Sequence, residues 1–557
     1  VAHLVNRRIR LFLAALALAF VGLLLRATWL QTVRAESLSS LGRTQHREAV
    51  IIPAGRGTIF DRGGVELALG ESATTVYANP MQIADPRRAA VAVERTLGPD
   101  ADRVFATLAD RSRGFVYVAR QADPTKAATL QKLKLAGFGF YPEERRTYPQ
   151  QSVAAQVLGF VGTDGKGLSG LELQFDRALA GRAGKETVVK DPSGRVIDVL
   201  GERAEVPGRD IYLTLDHSIQ ANVEEVLRAT VRRWAAKSAS AVVLDPRTGA
   251  ILAMAVQPGF DANRFPSAPS SLQRNRTVTD TYEPGSTFKL ITVAGALSER
   301  IVQPTTRFKL PYSLQVADRV IHDAEKRGTV NYSVAQILAH SSNIGAITLA
   351  EKLGRTRLSS WITKFGFGRG TGVDFPGESP GIVLPPDKWS GSTIGNVPIG
   401  QGIAVTPVQM AAAYAAIANR GVWSRPHLVD HVVGGGRPSL HRRRLVSPKT
   451  ADQLMMMLKD VVAEGTGQYA AIPGYQVAGK TGTAQKPDSR GGYATGRYVA
   501  SFVGIVPASR PQFVILVAVD EPRGAIWGGT VAAPAFQQIA RFDLQYLEVP
   551  PDAAPGQ

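Results

Sequence analysis

Short segments of this 557-residue chain carry side chains that could together perform acyl transfer. In YEPGSTFKLITVAGAL (282–297), Pro284 and Gly285 stop whatever precedes, and an apolar helix is expected to begin at Ser286. Lys289 follows three residues on, which puts its amine on the same helix face as the Ser286 hydroxyl. A serine at a helix start also feels the positive end of the helix dipole, which favours developing negative charge. Taken alone, the pair equally suits a capping serine beside a surface lysine. HSSNIG (340–345) adds Ser341, Ser342 and Asn343 in a polar break between two helical stretches. YQVAGKTGTAQ (475–485) adds Lys480, Thr481, Gly482 and Thr483 on a strand-like run.

Other residues compete for attention. His340 stands beside Ser341 and invites a Ser-His-Asp reading, but no Gly-x-Ser-x-Gly elbow surrounds Ser286, so a packing or surface role is expected. Glu378, in the Pro/Gly loop PGESPG, is read as structural, and Trp527 and Tyr498 as core, rim or cleft-lining side chains. The chain has no cysteine, which excludes disulfides, thiolate chemistry and iron–sulfur clusters. Its histidines lack His-Glu-x-x-His spacing, so neither a metal nor a cofactor is expected. A net charge of +18 suits a solvated surface, an anionic membrane or acidic wall polymers. Without an arginine-rich helix or basic–aromatic interleaving, nucleic acid is not an expected partner.

The elements that must position these residues begin with LFLAALALAFVGLLL, uncharged between Arg10 and Arg26. Snorkelling by Arg26 and an interfacial Trp29 extend it to a bilayer span. No convincing small-residue cleavage site follows, so an uncleaved signal anchor is expected, with Arg7, Arg8 and Arg10 holding the amino end in the cytoplasm. From about residue 36 to 205 the chain reads as short strands and turns, including GRGTIFDRGG (55–64); Arg56, Asp61, Arg62 and Glu172 are read there as a structural ion-pair network. Beyond Gly208, IYLTLD is strand-like, and Asp216 or Ser218 caps a helix with Ile219, Val223, Val226, Leu227 and Trp234 on one stripe. SAVVLDPRTGAILAMAV (240–256) reads as a hairpin turning at Pro246–Gly249, and two apolar strands follow at 498–506 and 513–519. Strands at both ends of a largely helical middle predict one α+β domain whose sheet joins distant parts of the chain.

The order Ser-x-x-Lys, Ser-x-Asn, Lys-Thr-Gly resembles that of penicillin-binding proteins and serine β-lactamases. GRGTIFDRGG, Gly170-Leu171-Glu172, LDPRTGAILAMA, RNRTVTDTYEPGSTFK, PIGQGIAVTPVQMAAAYAAIAN and GGTVAAPAF widen the likeness to class B penicillin-binding proteins over nearly the whole chain. RNRTVTDTYEPGS is nearest the FtsI, cell-division type, although elongation-type relatives share most of these motifs. The resemblance implies an α+β fold: a cytoplasmic tail (1–10), a transmembrane anchor (11–30), a strand-rich pedestal (31–205), a transpeptidase domain (206–545) with an antiparallel sheet flanked by helices, and a disordered tail (546–557).

It also implies roles. Ser286 would attack the penultimate D-alanine of a peptidoglycan stem peptide and later pass the acyl group to a neighbouring amine. Lys289 would be the base when neutral, its pKa lowered by burial and by Lys480. Ser341 would relay a proton, and Asn343 would hold the donor's amide. The Ser286 and Thr483 N–H groups would form an oxyanion hole. Lys480, Thr481 and Thr483 would receive the terminal carboxylate of substrate or β-lactam, with Gly482 letting the strand approach the ligand. Implied partners are stem peptides, β-lactams, an FtsW-type polytopic glycan polymerase and other divisome membrane proteins, with the catalytic domain outside the cytoplasm. A β-lactamase would not need the pedestal, and the segment before the transpeptidase lacks a glutamate-centred glycosyltransferase signature. A D,D-carboxypeptidase, in which water replaces the amine, and a scaffold that activates a polymerase remain the alternatives.

Overall fold

The computed structural model describes residues 2–36, 47–190, 196–437, 439–488 and 491–553. The chain divides into two compact units. The first, Val1–Gly55 with Gly181–Pro207, holds the helix Ala2–Thr32 and an antiparallel sheet of Arg47–Ile52, Gly184–Lys190 and Val196–Arg203. Within that helix Asn6–Thr32 contains an 18-residue stretch with a mean hydropathy of 2.2, long and apolar enough to cross a bilayer. Arg26 and Arg34 both lie over the Trp29 ring, at 4.6 and 4.8 Å.

The second unit comprises Arg56–Ala180 and Gly208–Gln557, so the stretch expected as the pedestal contributes to both. A mixed sheet ties the parts of this second unit together. Its order is Val429–Val432, Ile211–Leu213, Ile59–Phe60, Glu66–Ala78 and Val116–Ala122, with Phe138–Thr147 also paired to Glu66–Ala78. Ile59 pairs with Ile211 in parallel, and Val429–Val432 closes the other side antiparallel.

The expected ion-pair network forms around Glu172, which is fully buried. Its carboxylate takes Arg56 at 2.7 Å and Arg146 at 2.6 Å, while Arg56 also reaches Asp176 at 2.8 Å. Asp61 and Arg62 fall outside it, contrary to expectation. The Asp61 carboxylate instead accepts from Gly63 N and Val65 N, closing the turn, and bonds His217 Nδ1 at 2.7 Å. Arg62 is exposed, with no ion pair among the described residues.

The rest of the unit is a sheet between two layers of helix. Helix α1 (His217–Arg233) is capped by Asp216, which accepts from Ser218 N and Ile219 N, so Ser218 is capped rather than capping. The hairpin forms as β1 (Ser238–Leu244) and β2 (Ile251–Gln257). There follow α2 (Lys289–Ser298), α3 (Val334–Ala339), α4 (Asn343–Leu353), α5 (Pro407–Ala418) and α6 (Pro448–Ala463). Strands β3 (Ala478–Pro487), β4 (Tyr493–Val506) and β5 (Phe513–Asp520) precede α7 (Ala533–Tyr546). The strand order is β2-β1-β5-β4-β3, antiparallel throughout. Alternate residues of β1 serve opposite faces: Ala241 and Val243 meet α1 and α7, while Val242 and Leu244 meet the core that includes α2 and α5. Both faces are covered, which is why these strands read as continuous apolar runs.

The expected disordered tail is not observed over 546–553. Val549 packs on the α1/α7 core, and its carbonyl accepts from the Tyr475 hydroxyl at 2.6 Å. Asp552 accepts from Gln476 N at 2.7 Å and Ser509 N at 3.1 Å, satisfying main-chain donors that no strand pairs. Residues 554–557 lie outside the described residues.

Candidate active site

Ser286 sits in a single 3₁₀ turn, Gly285–Phe288, and the α-helix proper starts at Lys289 rather than at the serine. Local bonds tighten the turn: the Thr287 hydroxyl donates to Pro284 O at 2.8 Å, and the Tyr414 hydroxyl, from α5, donates to Thr287 O at 2.8 Å. In 3₁₀ geometry residues three apart eclipse, so Ser286 and Lys289 still share one side.

The turn is clamped from two directions. Gly285 N donates to Gly400 O, and a Cβ on Gly400 would come within 2.1 Å of Gly285 O. On the other side a Cβ on Gly482 would meet Ser501 Oγ at 2.4 Å and Pro284 O at 2.8 Å. Gly482 is therefore required by packing of β3 against its neighbour strand and the serine turn.

Strand β3 is the edge of its sheet. The Thr483 carbonyl faces Gly285, whose added Cβ would lie 2.9 Å from it. N–H and C=O of one antiparallel strand residue point to the same side, so the Thr483 N–H also faces the serine turn.

Lys289 and Lys480 are both fully buried and meet at Ser341. Lys289 Nζ donates to Ser341 O, to Asn343 Oδ1 at 2.7 Å and to Ser341 Oγ at 3.3 Å. Lys480 Nζ donates to the same Ser341 Oγ at 2.9 Å and to Thr481 O at 3.2 Å. Burial pushes Lys289 down to about 7, with Asp323 opposing. Burial, and then the charge of Lys289, push Lys480 well below its usual value.

Ser341 holds a left-handed backbone (φ 57°), unusual for a serine, which turns the chain between α3 and α4. Two side chains absent from the sequence reading support the cluster, one at this break and one at β3. Asp323 accepts from Asn343 N, Ile344 N and the Ser342 hydroxyl and pairs with Arg327. Thr466 shares a 2.7 Å hydrogen bond with the Thr481 hydroxyl. No local motif marks either residue; only tertiary contact reveals them.

Of the expected residues, Lys289, Ser341, Asn343, Lys480 and Thr481 join one hydrogen-bonded cluster. Thr481 is buried and bonds inward, while Thr483 is half-buried and its hydroxyl accepts from Gly528 N at 3.0 Å, leaving its proton for an outward acceptor. The half-buried Ser286 side chain has no hydrogen bond to this cluster among the described residues. His340 is exposed and stacks on Tyr332, and Glu378 accepts from Thr371 and Gly372 N–H groups within its loop; neither enters the cluster.

Residues 239–541 match the family described as the penicillin binding protein transpeptidase domain, and residues 51–213 the penicillin-binding protein dimerisation domain. The chain is 34% identical to penicillin-binding protein PbpB of Mycolicibacterium smegmatis over 98% of this chain and 90% of that protein. It is 33% identical to peptidoglycan D,D-transpeptidase FtsI of Escherichia coli, over 99% of this chain and 94% of the other. The crystal structure of penicillin binding protein 3 of Mycobacterium tuberculosis, complexed with aztreonam, superposes with a TM-score of 0.72 at 31% identity, covering 90% of this chain and 98% of that one.

Proposed function

This chain belongs to the class B penicillin-binding proteins, as a serine-type peptidoglycan D,D-transpeptidase, and on that premise we propose that Ser286 is its nucleophile and that it serves septal wall synthesis. The observation that carries the site assignment is the Lys289–Ser341–Lys480 chain beside the Ser286 turn.

Two acceptors, Ser341 O and Asn343 Oδ1, occupy both N–H groups of a neutral Lys289 amine, leaving its lone pair for a hydroxyl proton. A pKa near 7 makes that neutral form abundant at working pH. Ser286 Oγ then bonds the carbonyl carbon of the penultimate D-alanine, and the Ser286 and Thr483 N–H groups take the charge that develops on its oxygen. Collapse breaks the C–N bond, and the terminal D-alanine leaves as an amine protonated through Ser341, which touches both lysines. An amine of a second stem peptide attacks the ester, its proton returns along the same path, and Ser286 is released. Thr483 and the Lys480 end of β3 receive the substrate's terminal carboxylate, and Asn343 holds the donor amide. The same sequence stops at the ester when the acyl donor is a β-lactam.

The septal reading rests on the RNRTVTDTYEPGS segment and on near full-length similarity to FtsI and PbpB. It carries an anchor helix with the amino end in the cytoplasm, the catalytic unit outside, and an FtsW-type glycan polymerase among divisome partners. Labelling with a fluorescent penicillin tests the nucleophile: Ser286→Ala should abolish it, and equal labelling overturns the assignment. Depletion should give filamentous cells, and rounded cells would overturn the septal role. Purified protein offered lipid-linked glycan and a polymerase should form cross-links rather than only release D-alanine.

A further inference from the structure

A strongly basic surface lies apart from the acyl site, built on the two-stranded ribbon Val422–Ser424 and Arg442–Arg444. Its arginines are held by main-chain carbonyls instead of acids. Arg442 donates to Arg247 O at 3.1 Å, Arg443 to Lys364 O, and Arg444 to Arg420 O at 3.0 Å. The Arg443 guanidinium also lies 4.7 Å above the Trp423 ring and feels the charge of Arg369. Among the described residues, Arg369, Arg442, Arg443 and Arg444 have no carboxylate within ion-pair distance. Arg247 and Arg420 have only Asp245 at 3.4 Å and Asp452 at 3.8 Å, both arginines being largely exposed.

Such an arrangement is fitted for anions. Carbonyl contacts use part of each guanidinium, Arg442 and Arg444 are exposed, and a guanidinium's remaining N–H groups can meet a carboxylate two oxygens at a time. The positive charge here is a concentrated share of the chain's excess of 65 basic over 47 acidic residues. A carboxylate-bearing polymer is already part of this protein's chemistry. Each uncross-linked stem peptide ends in a free carboxylate, so a strand awaiting cross-linking presents a row of carboxylates, and every cross-link removes the terminal carboxylate of its donor.

We propose that this arginine surface is a second docking site for the uncross-linked peptidoglycan strand, holding it through its row of stem-peptide carboxylates while the acyl site works on one of them. The inference rests on the transpeptidase activity. It adds a preference for unprocessed over processed wall, since affinity falls as terminal carboxylates are consumed. None of these arginines hydrogen-bonds a residue of the Lys289–Ser341–Lys480 cluster.

The test uses the full chain in detergent with Ser286 acylated by benzylpenicillin, so that binding does not depend on the acyl site. Fluorescently tagged, soluble, uncross-linked glycan strands with intact stem peptides are titrated by anisotropy. Native protein should bind with steep salt dependence, and Arg442→Gln/Arg444→Gln should bind roughly tenfold more weakly while acylating at the native rate. Strands whose carboxylates are capped as methyl amides should bind native protein equally weakly, a measurement that needs no variant. Unchanged binding by the double variant, or equal binding of capped strands, overturns the proposal. So does a teichoic-acid-like phosphate polymer that displaces the strand at lower charge concentration. Failure of drug acylation in the native protein would instead strike the transpeptidase reading itself.

Discussion

Arg56 and Arg146 share the two oxygens of Glu172, whereas Lys289 and Lys480 share the single hydroxyl of Ser341. Both pairs are shut away from water, with the arginine side chains only 6% and 5% exposed and the lysines 0%. Burial alone therefore does not decide what a cation does. Burial pulls Arg56 down, but Glu172 and Asp176 outweigh it and its pKa ends above the usual value. The lysines have no shared carboxylate. Asp323 acts on Lys289 by charge, yet its oxygens are engaged by Arg327, Ser342 and two N–H groups. One pair is matched by a carboxylate, and burial pushes both members of the other toward the neutral form.

The largest effect should come from importing the first arrangement into the second. A guanidinium does not release its proton under these conditions. Lys289→Arg should therefore slow acylation by a fluorescent penicillin by roughly three orders of magnitude. Thermal melting should show the variant folded. A rate within about tenfold of native would exclude Lys289 as the base.

The reverse manipulation strikes stability. Glu172→Gln leaves two buried guanidiniums without their common carboxylate, and breaking a buried ionic arrangement in this way costs about 3 kcal/mol. Urea unfolding should register that loss, while acylation per folded molecule stays near native. A variant as stable as native would mean that Asp176 and water replace Glu172, and the contrast between the two pairs would weaken.

Much of the lysine arrangement was legible in the chain, because its members come in short motifs whose spacing has local meaning. Ser286 and Lys289 lie one turn apart, and Lys480 to Thr483 lie on one strand. The hairpin, the Asp216-capped helix and the late apolar strands were legible for the same reason. What escaped depends on distance in sequence. Asp323 organises Asn343 from twenty residues away, out of a polar stretch with no periodicity. The parallel pairing of Ile59 with Ile211 gives no local sign either. Gly482 was visible as a glycine needing room, but the atoms that crowd it belong to Pro284 and Ser501, which only the folded sheet brings near. The tail read as polar and proline-rich, and its Asp552 is instead a cap for two main-chain donors.

Asp323 offers the finest adjustment between the two arrangements, because it is the one carboxylate that pushes Lys289 toward the arginine-like state. With Lys289 as the proposed base, acylation should rise with pH through a midpoint near 7 and then level off. Asp323→Asn removes the opposing charge and leaves Arg327 unpaired nearby; both changes disfavour the ammonium, so the midpoint should move to lower pH. An asparagine oxygen can still accept from Asn343 N and Ile344 N, so the plateau rate should fall only a few-fold, by roughly the worth of one weakened hydrogen bond. Stability gives an independent reading of the same proton. Between about 7 and the ordinary lysine value of 10.5 the unfolded chain carries a proton on Lys289 that the folded chain does not, so stability rises with pH across that window. In the variant this rise should begin at lower pH. A midpoint that stays fixed or moves upward would mean that Asp323 shapes the α3–α4 break without reaching the proton on Lys289, whose pKa would then be set by burial without an opposing carboxylate.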